Sequence, residues 1–268
     1  MEQSITVDIS NLVEKNLAVL SDSLSKINLS LHIITIDSND QTFNELQEMI
    51  HTHSLNITVY NHNVDNKVES LYKLITELNE DENCGGIYLT DLLKEQLIDS
   101  ASIYSMIMPD KDIDAKNVVN LGLMHYGNQL IWPVKVAAIL KILESTNAPI
   151  LNKKVTIIDN YMNLALNLIP ALYQKSMIIT VLNQFKTDWQ KYTKTSDLVI
   201  ANFRSILDDD VIIQSSQLKK KGMLIDLNHN VEPNIESSLS LFATNLEPLY
   251  RYYTLYNFVA LCQLKQGE

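Results

Sequence analysis

Residues 109–122 read PDKDIDAKNVVNLG, a run in which three acids, two lysines and two asparagines are interleaved with apolar side chains. Pro109 disfavours a helical conformation in the residue before it, and Gly122 permits a sharp turn of the backbone. The run also separates two parts of the chain that differ in character. Its position suggests a crossover loop that lines a cleft, whereas its composition alone favours a solvated acidic loop.

Composition narrows the class of protein. The chain has 268 residues, of which 46% are hydrophobic and 20% charged, as in a globular protein with two domains. Its formal net charge of −11 argues against binding to nucleic acid or to an anionic membrane, because both require a basic face. No apolar run is long enough to span a membrane, and the N-terminal residues do not resemble a signal peptide. Cys84 and Cys262 indicate reduced thiols, so we expect a cytoplasmic protein.

Helical and strand patterns alternate along the whole chain. In the first half we expect helices at residues 5–27, 43–55 and 64–78, and strands at residues 29–37, 56–60 and 86–89. In the second half we expect strands at residues 155–159, 178–182, 198–202 and 223–227, with helices between them, notably 164–174. A buried helix at residues 133–145 links the halves, and a tyrosine-rich helix at residues 249–265 ends the chain. The alternation predicts an α/β fold with parallel strands.

The run at residues 109–122 resembles the signature Pro-x-Lys-Asp-Val-Asp-Gly-x-x-x-x-Asn-x-Gly of the bifunctional methylenetetrahydrofolate dehydrogenase/cyclohydrolases. Its matching positions are Pro109, Lys111, Asp112, Asp114, Asn120 and Gly122. Ile113 replaces the valine, and Ala115 replaces the first glycine. Two later segments, SDLVIA at residues 196–201 and LIDLNHN at residues 224–230, resemble strands of the same family.

The resemblance implies an architecture of two three-layer α/β domains. An N-terminal folate-type catalytic domain would comprise residues 1–132 and the last helix, within residues 249–268. A linking helix at residues 133–147 would lead to a Rossmann-like NAD(P)-binding-type domain with a parallel sheet at residues 148–248. The family analogy further implies a homodimer formed through the second domain, and a folate-like small molecule bound in a cleft between the domains.

The catalytic positions of the family are altered in this sequence. Members carry Tyr-x-x-x-Lys on the second helix, where the four-residue spacing directs both side chains to one face. Our preferred alignment places Phe43 and Gln47 at these positions, and a shift of one residue gives Asn44 and Glu48. The glutamine that tunes the lysine in the family is replaced by Thr90. Loss of a general acid–base costs about 10²–10⁴-fold in rate, so we expect impaired catalysis.

The cofactor-binding turn is altered as well. The family places glycines after the first strand of the second domain, so that the backbone approaches the pyrophosphate at a helix N-terminus. Here the corresponding positions are Asp159, Asn160, Tyr161 and Ala165, and no glycine lies between Gly127 and Gly222. We therefore expect no cofactor, or NADP if the family activity is retained. The preferred interpretation of Asp159 is a carboxylate that caps the next helix.

The remaining candidates concern binding. The resemblance implies that Asp114 contacts a pterin ring, and a loop-capping role is an equally weighted alternative; Asn120, Phe43 and Gln47 would line the same site. A metal site at His51, His53 and His62 is not expected, because positions two apart on a helix face different directions. Three functions stay open, in order of preference: a catalytically impaired member that binds a folate-like molecule, an active NADP-dependent dehydrogenase/cyclohydrolase of one-carbon metabolism, and a non-catalytic partner of an intact enzyme.

Overall fold

The protein folds as an α/β chain with two parallel sheets, as the alternating pattern predicts. The computed structural model describes residues 5–35, 40–64, 68–90, 100–146, 150–159, 164–183, 188–203, 213–229 and 231–267. The chain divides into two compact units. The three-stranded unit comprises Val13–Ala137 and Leu249–Glu268, and the six-stranded unit comprises Met1–Leu12 and Ala138–Pro248.

The three-stranded unit contains a sheet of strand order β3-β2-β4, in which β2 pairs in parallel with both neighbours. Its strands are β2 (Ser30–Thr35), β3 (Thr58–Asn63) and β4 (Cys84–Leu89). Its helices are α2 (Gln41–Thr52), α3 (Val68–Glu80), α4 (Ser100–Met106), α5 (Val118–His125) and α9 (Glu247–Gln266), the last of which begins just before the unit boundary. Helices α1 (Ile9–Leu24) and α6 (Val134–Ser145) run across the boundary between the units.

The six-stranded unit contains a parallel sheet of strand order β1-β9-β8-β7-β5-β6. Its strands are β1 (Ile5–Thr6), β5 (Lys154–Asp159), β6 (Ile178–Leu182), β7 (Leu198–Asn202), β8 (Met223–Asp226) and β9 (Leu241–Ala243). Helix α7 (Ala165–Gln174) follows β5, and the short helix α8 (Gln190–Thr193) precedes β7. Short 3-10 helices lie at Ser215–Gln217 and Ile235–Ser238.

Two local predictions were wrong. Residues 5–27 do not form one helix, because Ile5 and Thr6 pair in parallel with Leu241 and Phe242 of β9. This pairing also groups Met1–Leu12 with the six-stranded unit, whereas the sequence-based division assigned the first residues to the N-terminal domain. The run at residues 109–122 is not a loop throughout, because Asn117 caps helix α5 by accepting a hydrogen bond from the Val119 amide at 2.8 Å.

Each unit has its own apolar core, and two glycines shape one of them. In the three-stranded unit a side chain on Gly86 would collide with Ile113, and one on Gly85 would collide with Phe258 and Cys262. Glycine at these positions therefore lets the loop around Ile113 and helix α9 pack closely on β4. The core cluster of the six-stranded unit includes Ile158, Trp189, Val199, Phe203 and Leu224.

Candidate functional site

The segment at residues 111–113 lies against strand β4. The Ile87 amide donates to the Lys111 carbonyl at 2.7 Å, and the Ile113 amide donates to the Ile87 carbonyl at 3.2 Å. These bonds form a parallel bridge between Ile87 and Asp112. The segment is therefore held beside the sheet by backbone bonds, and its polar side chains are fixed in position.

Lys111 stabilises the end of helix α3. Its ammonium group donates to the carbonyl oxygens of Leu78, Asn79 and Asp81 at 2.9, 2.8 and 2.8 Å. Cations are favourable at helix C-termini, where carbonyl groups lack partners within the helix. Burial lowers the pKa of Lys111. The lysine of the signature therefore has a structural role here.

Asp112 organises the loop from inside. Its carboxylate accepts from the amides of Asp114 and Asn117 at 3.2 and 2.6 Å, and from the Asn120 side chain at 3.2 Å. Burial raises the pKa of Asp112 to about 6. Asn120 also donates to the Pro109 carbonyl at 2.9 Å. Asn120 was predicted to bind a ligand, but its side-chain NH₂ group donates both hydrogen bonds to other residues of the loop.

Asp114 is buried and makes two charged or dipolar contacts. One oxygen accepts from the Val134 amide at the start of α6 at 3.0 Å, and the other lies 2.8 Å from the Lys116 ammonium. Lys116 in turn lies 5.3 Å from the centre of the Tyr104 ring. Two roles were considered for Asp114, contact with a pterin ring and capping of the loop. The two contacts above are those of a capping carboxylate, because one lies within the loop and the other joins the loop to the first turn of α6.

Ala115 adopts a backbone conformation that normally favours glycine. Its φ angle is 50°, in the left-handed region, and its side chain is buried. An L-residue in this conformation costs about 1–2 kcal/mol relative to glycine. Ala115 therefore forms a left-handed turn at the position where the family signature has glycine.

Helix α2 presents the positions at which the family carries its catalytic pair. Phe43 is buried, whereas Gln47, one turn later, is exposed. In the alternative alignment the two positions are Asn44 and Glu48, and both are exposed. Neither alignment brings an ammonium or a phenol to this face of α2.

Sequence reasoning missed Asp40, which begins helix α2. Its Oδ1 accepts from the Phe43 amide at 3.0 Å, while its Oδ2 is buried with no hydrogen-bond partner among the described residues. The side-chain oxygen of Thr90 is also buried and has no hydrogen-bond partner in the described ranges, and the Thr90 amide donates to the Ile34 carbonyl at 3.2 Å. An aspartate three residues before an apolar helix position is a recognisable N-cap signal, but burial of its second oxygen is not visible in a sequence.

In the six-stranded unit, Asp159 ends strand β5, and its carboxylate lies at the start of helix α7. Its Oδ2 accepts from the amides of Leu164 and Ala165 at 2.9 and 2.8 Å, and its Oδ1 accepts from the Asn202 side chain at 3.0 Å. Asn202 then accepts from Asn228 at 3.2 Å, which links the carboxyl ends of β5, β7 and β8. The capping geometry matches the preferred interpretation of Asp159. The predicted positions Asn160 and Tyr161 lie outside the described residues.

Two other features, a metal site and a membrane-spanning helix, were sought in the described part of the chain. It contains no group of three or more histidine, cysteine, aspartate or glutamate side chains suited to a metal ion. His62, one of the histidines considered above, instead lies 2.8 Å from His32 through ring nitrogens. None of the helices in the described ranges combines the length and apolar character needed to cross a membrane.

Comparisons with known proteins complete this picture. No family model matches the chain. It is 30% identical over 163 residues to the Bifunctional protein FolD of Mesoplasma florum, and 29% identical over 168 residues to that of Thermosipho africanus. These matches cover 61% and 62% of this chain but only 55% and 59% of the relatives, so the chain matches under two thirds of their length.

Two solved structures share the fold over the full length of both chains. One is a 5,10-methylenetetrahydrofolate dehydrogenase from the silkworm Bombyx mori, with a TM-score of 0.86 and 15% identity. The other is the methylenetetrahydrofolate dehydrogenase-cyclohydrolase (FolD) of Trypanosoma brucei complexed with NADP and an inhibitor, with a TM-score of 0.84 and 18% identity. In the signature at residues 109–122, in these partial sequence matches and in its fold, the chain is similar to the methylenetetrahydrofolate dehydrogenase/cyclohydrolases.

Proposed function

We propose that this chain is a member of the family that binds a folate-like small molecule in its three-stranded unit and does not turn it over with NADP. The observation that carries the proposal is the position of the Asp159 carboxylate at the N-terminus of α7. The fold is retained, whereas two sites are altered: the proton-transfer site in the three-stranded unit and the cofactor site in the six-stranded unit.

The altered cofactor site follows from electrostatics. A helix N-terminus binds phosphate because its amides lack partners and its dipole favours negative charge. In this chain the amides of Leu164 and Ala165 already donate to Asp159, whose carboxylate is fully buried. A dinucleotide phosphate would have to displace this carboxylate and approach its negative charge. The residues present therefore do not fit NADP, which argues against hydride transfer.

The altered proton-transfer site supports the same conclusion. Phe43 has no hydroxyl group, Gln47 has no titratable group, and Thr90 stands where the family has a glutamine. General acid–base catalysis needs a side chain that exchanges a proton near the working pH. These three side chains provide none, so folate hydrolysis is expected to be slower by at least about 10²–10⁴-fold.

Ligand binding needs fewer of these groups than turnover does. Asp40 follows strand β2 and Thr90 follows strand β4, and both are buried polar residues. Together with the ring of Phe43, they suit a planar ligand that forms hydrogen bonds. Ligands of open α/β sheets bind outside the carboxyl ends of the strands. Because the family relation points to folates, a folate-like ring is the ligand class we propose.

The test combines binding and turnover on one protein sample. We expect no heat of binding on titration with NADP and thermal stabilisation by a tetrahydrofolate analogue. Hydrolysis of methenyltetrahydrofolate should be at least about 10²–10⁴-fold slower than with an enzyme that has the family's catalytic pair. Saturation at about 100 times Kd should add roughly 2.7 kcal/mol to the free energy of unfolding. Micromolar NADP affinity with hydrolysis would favour the active enzyme instead. Absence of stabilisation by any folate would favour a non-catalytic partner of an intact enzyme.

We also propose, from family analogy alone, that the chain forms a homodimer through the six-stranded unit. Sedimentation velocity at micromolar concentration measures this directly. A single species with the mass of one chain would contradict it.

A further inference from the structure

Strand β3 forms an open edge of the three-stranded sheet. It lies at one end of the strand order β3-β2-β4, and its inner side pairs with β2. At the other end of the sheet, Ile87 of β4 is covered by its bridge to Asp112. In the described ranges no backbone group pairs with the outer side of β3. A strand that is free on one side can accept a further strand.

One hydrogen bond settles which backbone groups of β3 face outward. The Val64 amide, directly after the strand, donates to the Thr35 carbonyl of β2 at 2.8 Å. Along a strand, the backbone groups of successive residues point alternately to its two sides. The even-numbered residues of β3 therefore bond to β2. Val59, Asn61 and Asn63 present their amide and carbonyl groups on the outer side.

This edge lacks the features that prevent pairing with another strand. Edge strands are ordinarily protected by charged side chains, proline or a bulge. The sequence TVYNHN at residues 58–63 has no acidic residue, lysine, arginine or proline, and its register with β2 is unbroken. Thr58, Tyr60 and Asn63 are exposed, and the exposed fraction of Tyr60 is 50%. The strand is thus both unprotected and accessible.

A second copy of β3 fits these outward groups in one antiparallel register. With Asn61 opposite Asn61 of the second copy, Val59 lies opposite Asn63 on both sides of the twofold axis. Each facing pair then exchanges two hydrogen bonds, at a Cα separation of about 5.5 Å. This is the register in which all three outward residues of one strand pair with those of the other. A shift of one residue would place outward groups opposite groups already bonded to β2.

The same register brings aromatic side chains together. Tyr60 and His62 project from the same face of β3, and each lies opposite the other residue type of the second copy. They form non-hydrogen-bonded pairs, in which Cα atoms approach to about 4.5 Å and side chains interact most closely. Within one copy the rings of Tyr60 and His62 already lie 5.0 and 5.1 Å from the ring of His32. Pairing extends this aromatic cluster across the axis.

Charge favours a second copy as the occupant. The chain carries a net charge of −11, so contacts between two copies generally bring like charges together. Strand β3 avoids this repulsion because it has no acidic side chain, and burial lowers the pKa of His62, which is uncharged at neutral pH. A basic peptide would find no carboxylate on this strand to select it.

We infer that β3 is a self-association surface, at which two copies of the chain pair antiparallel about Asn61 and join their three-stranded sheets into one continuous sheet. The contact is isologous, because the same residues serve on both copies. It is separate from the dimer contact proposed for the six-stranded unit, and it requires no bound ligand.

The first test is sedimentation velocity on the full chain from low to several hundred micromolar concentration. Asn61→Asp keeps an oxygen for the Thr35 hydroxyl, which donates to Asn61 at 3.0 Å, so its melting temperature should equal that of wild type. It also places two carboxylates opposite each other on the axis. We expect the dissociation constant of the contact to rise at least about fivefold. The control Asn128→Asp adds the same charge at an exposed position and should have no effect.

A charge-swap experiment examines the twofold arrangement. Asn61→Lys should also weaken self-association, because two ammonium groups then face each other. An equimolar mixture of Asn61→Asp and Asn61→Lys should associate at least as tightly as wild type, since unlike charges meet on the axis. Failure of the mixture to associate better than either variant alone would count against the twofold arrangement.

Cross-linking examines the register. Two cysteines at position 61 would lie about 5.5 Å apart between their Cα atoms, within the range of a disulfide. Asn61→Cys should therefore form a covalent dimer on mild oxidation with diamide. Asn63→Cys should not, because its counterpart in the second copy lies about 14 Å further along the strand. The native thiols Cys84 and Cys262 are buried.

Two results would overturn the inference. One is a wild-type mass that Asn61→Asp leaves unchanged at every concentration; a dimer that persists in both proteins would then support the six-stranded contact alone. The other is a covalent dimer from Asn63→Cys but not from Asn61→Cys, which would exclude this register. Neither result changes the measurement of folate binding, so the proposed function stands or falls separately.

Discussion

Replacement of Asp159 by alanine is the most direct test of how the six-stranded unit is built. The carboxylate is fully buried and accepts from two backbone amides at 2.9 and 2.8 Å and from Asn202 at 3.0 Å. Alanine would leave these three donors without an acceptor. Hydrogen bonds to charged groups contribute about 1.5–3 kcal/mol each, and they do not add fully when they share one acceptor. We therefore expect Asp159→Ala to lower the free energy of unfolding by about 3–5 kcal/mol.

The assay follows urea unfolding through tryptophan fluorescence. The chain has two tryptophans, and Trp132→Phe leaves Trp189, which packs with Ile158 in the core of the six-stranded unit. In that background the signal reports on the unit that contains Asp159. The matched control is Asp188→Ala, which removes an exposed carboxylate paired with Lys191 at 3.3 Å and should cost less than about 0.5 kcal/mol.

Asp159→Asn refines the test. Asparagine retains one acceptor oxygen, which serves either the helix amides or Asn202 but not both. Its cost should therefore fall between those of the control and of alanine. A loss below about 1 kcal/mol for Asp159→Ala would refute the reasoning, because it would mean that the carboxylate does not hold the strand-to-helix turn and is free to give way to a phosphate.

Three further predictions concern the three-stranded unit. Ala115→Gly should raise the free energy of unfolding by up to about 1 kcal/mol, because glycine adopts the left-handed backbone conformation without strain. The control is Ala18→Gly on the exposed face of α1, which should lower the free energy of unfolding by about 1 kcal/mol. Urea denaturation measures both. Lys111→Met should cost about 1–3 kcal/mol in the same assay, because three carbonyl groups lose their donor, and an unchanged midpoint would contradict this. Burial lowers the pKa of His32 to about 4, so below pH 6.5 the unfolded chain binds a proton that the folded chain does not bind. About 2.5 kcal/mol of stability should therefore be lost as pH falls from 6.5 to 4. A His32→Gln variant with the same pH dependence as wild type would argue against this source.

Local sequence patterns determined the class of fold. The strands at residues 178–182 and 198–202 and the helix after Pro133 match the structure closely, because each burial pattern is a property of one segment and survives without knowledge of its neighbours. The signature at residues 109–122 likewise indicated a resemblance that the fold shares, since a loop that folds on its own polar groups needs those residues in that order. Asp112 shows this directly, with bonds to Asp114, Asn117 and Asn120 all within eight residues of it.

The tertiary structure decided which groups meet across the chain. The pairing of Ile5 with Leu241 joins residues too far apart for any periodicity to connect, and it turned a predicted helix start into a strand. The ion pair of Asp114 with Lys116 and the three acceptor contacts of Asp159 depend on how backbone turns direct short side chains. The Oδ2 atom of Asp40 has no hydrogen-bond partner within the described part of the chain, and its burial is produced by the packing of several segments at once. A sequence specifies which side chains are available, and their chemistry becomes definite only when the fold fixes their partners and their access to water.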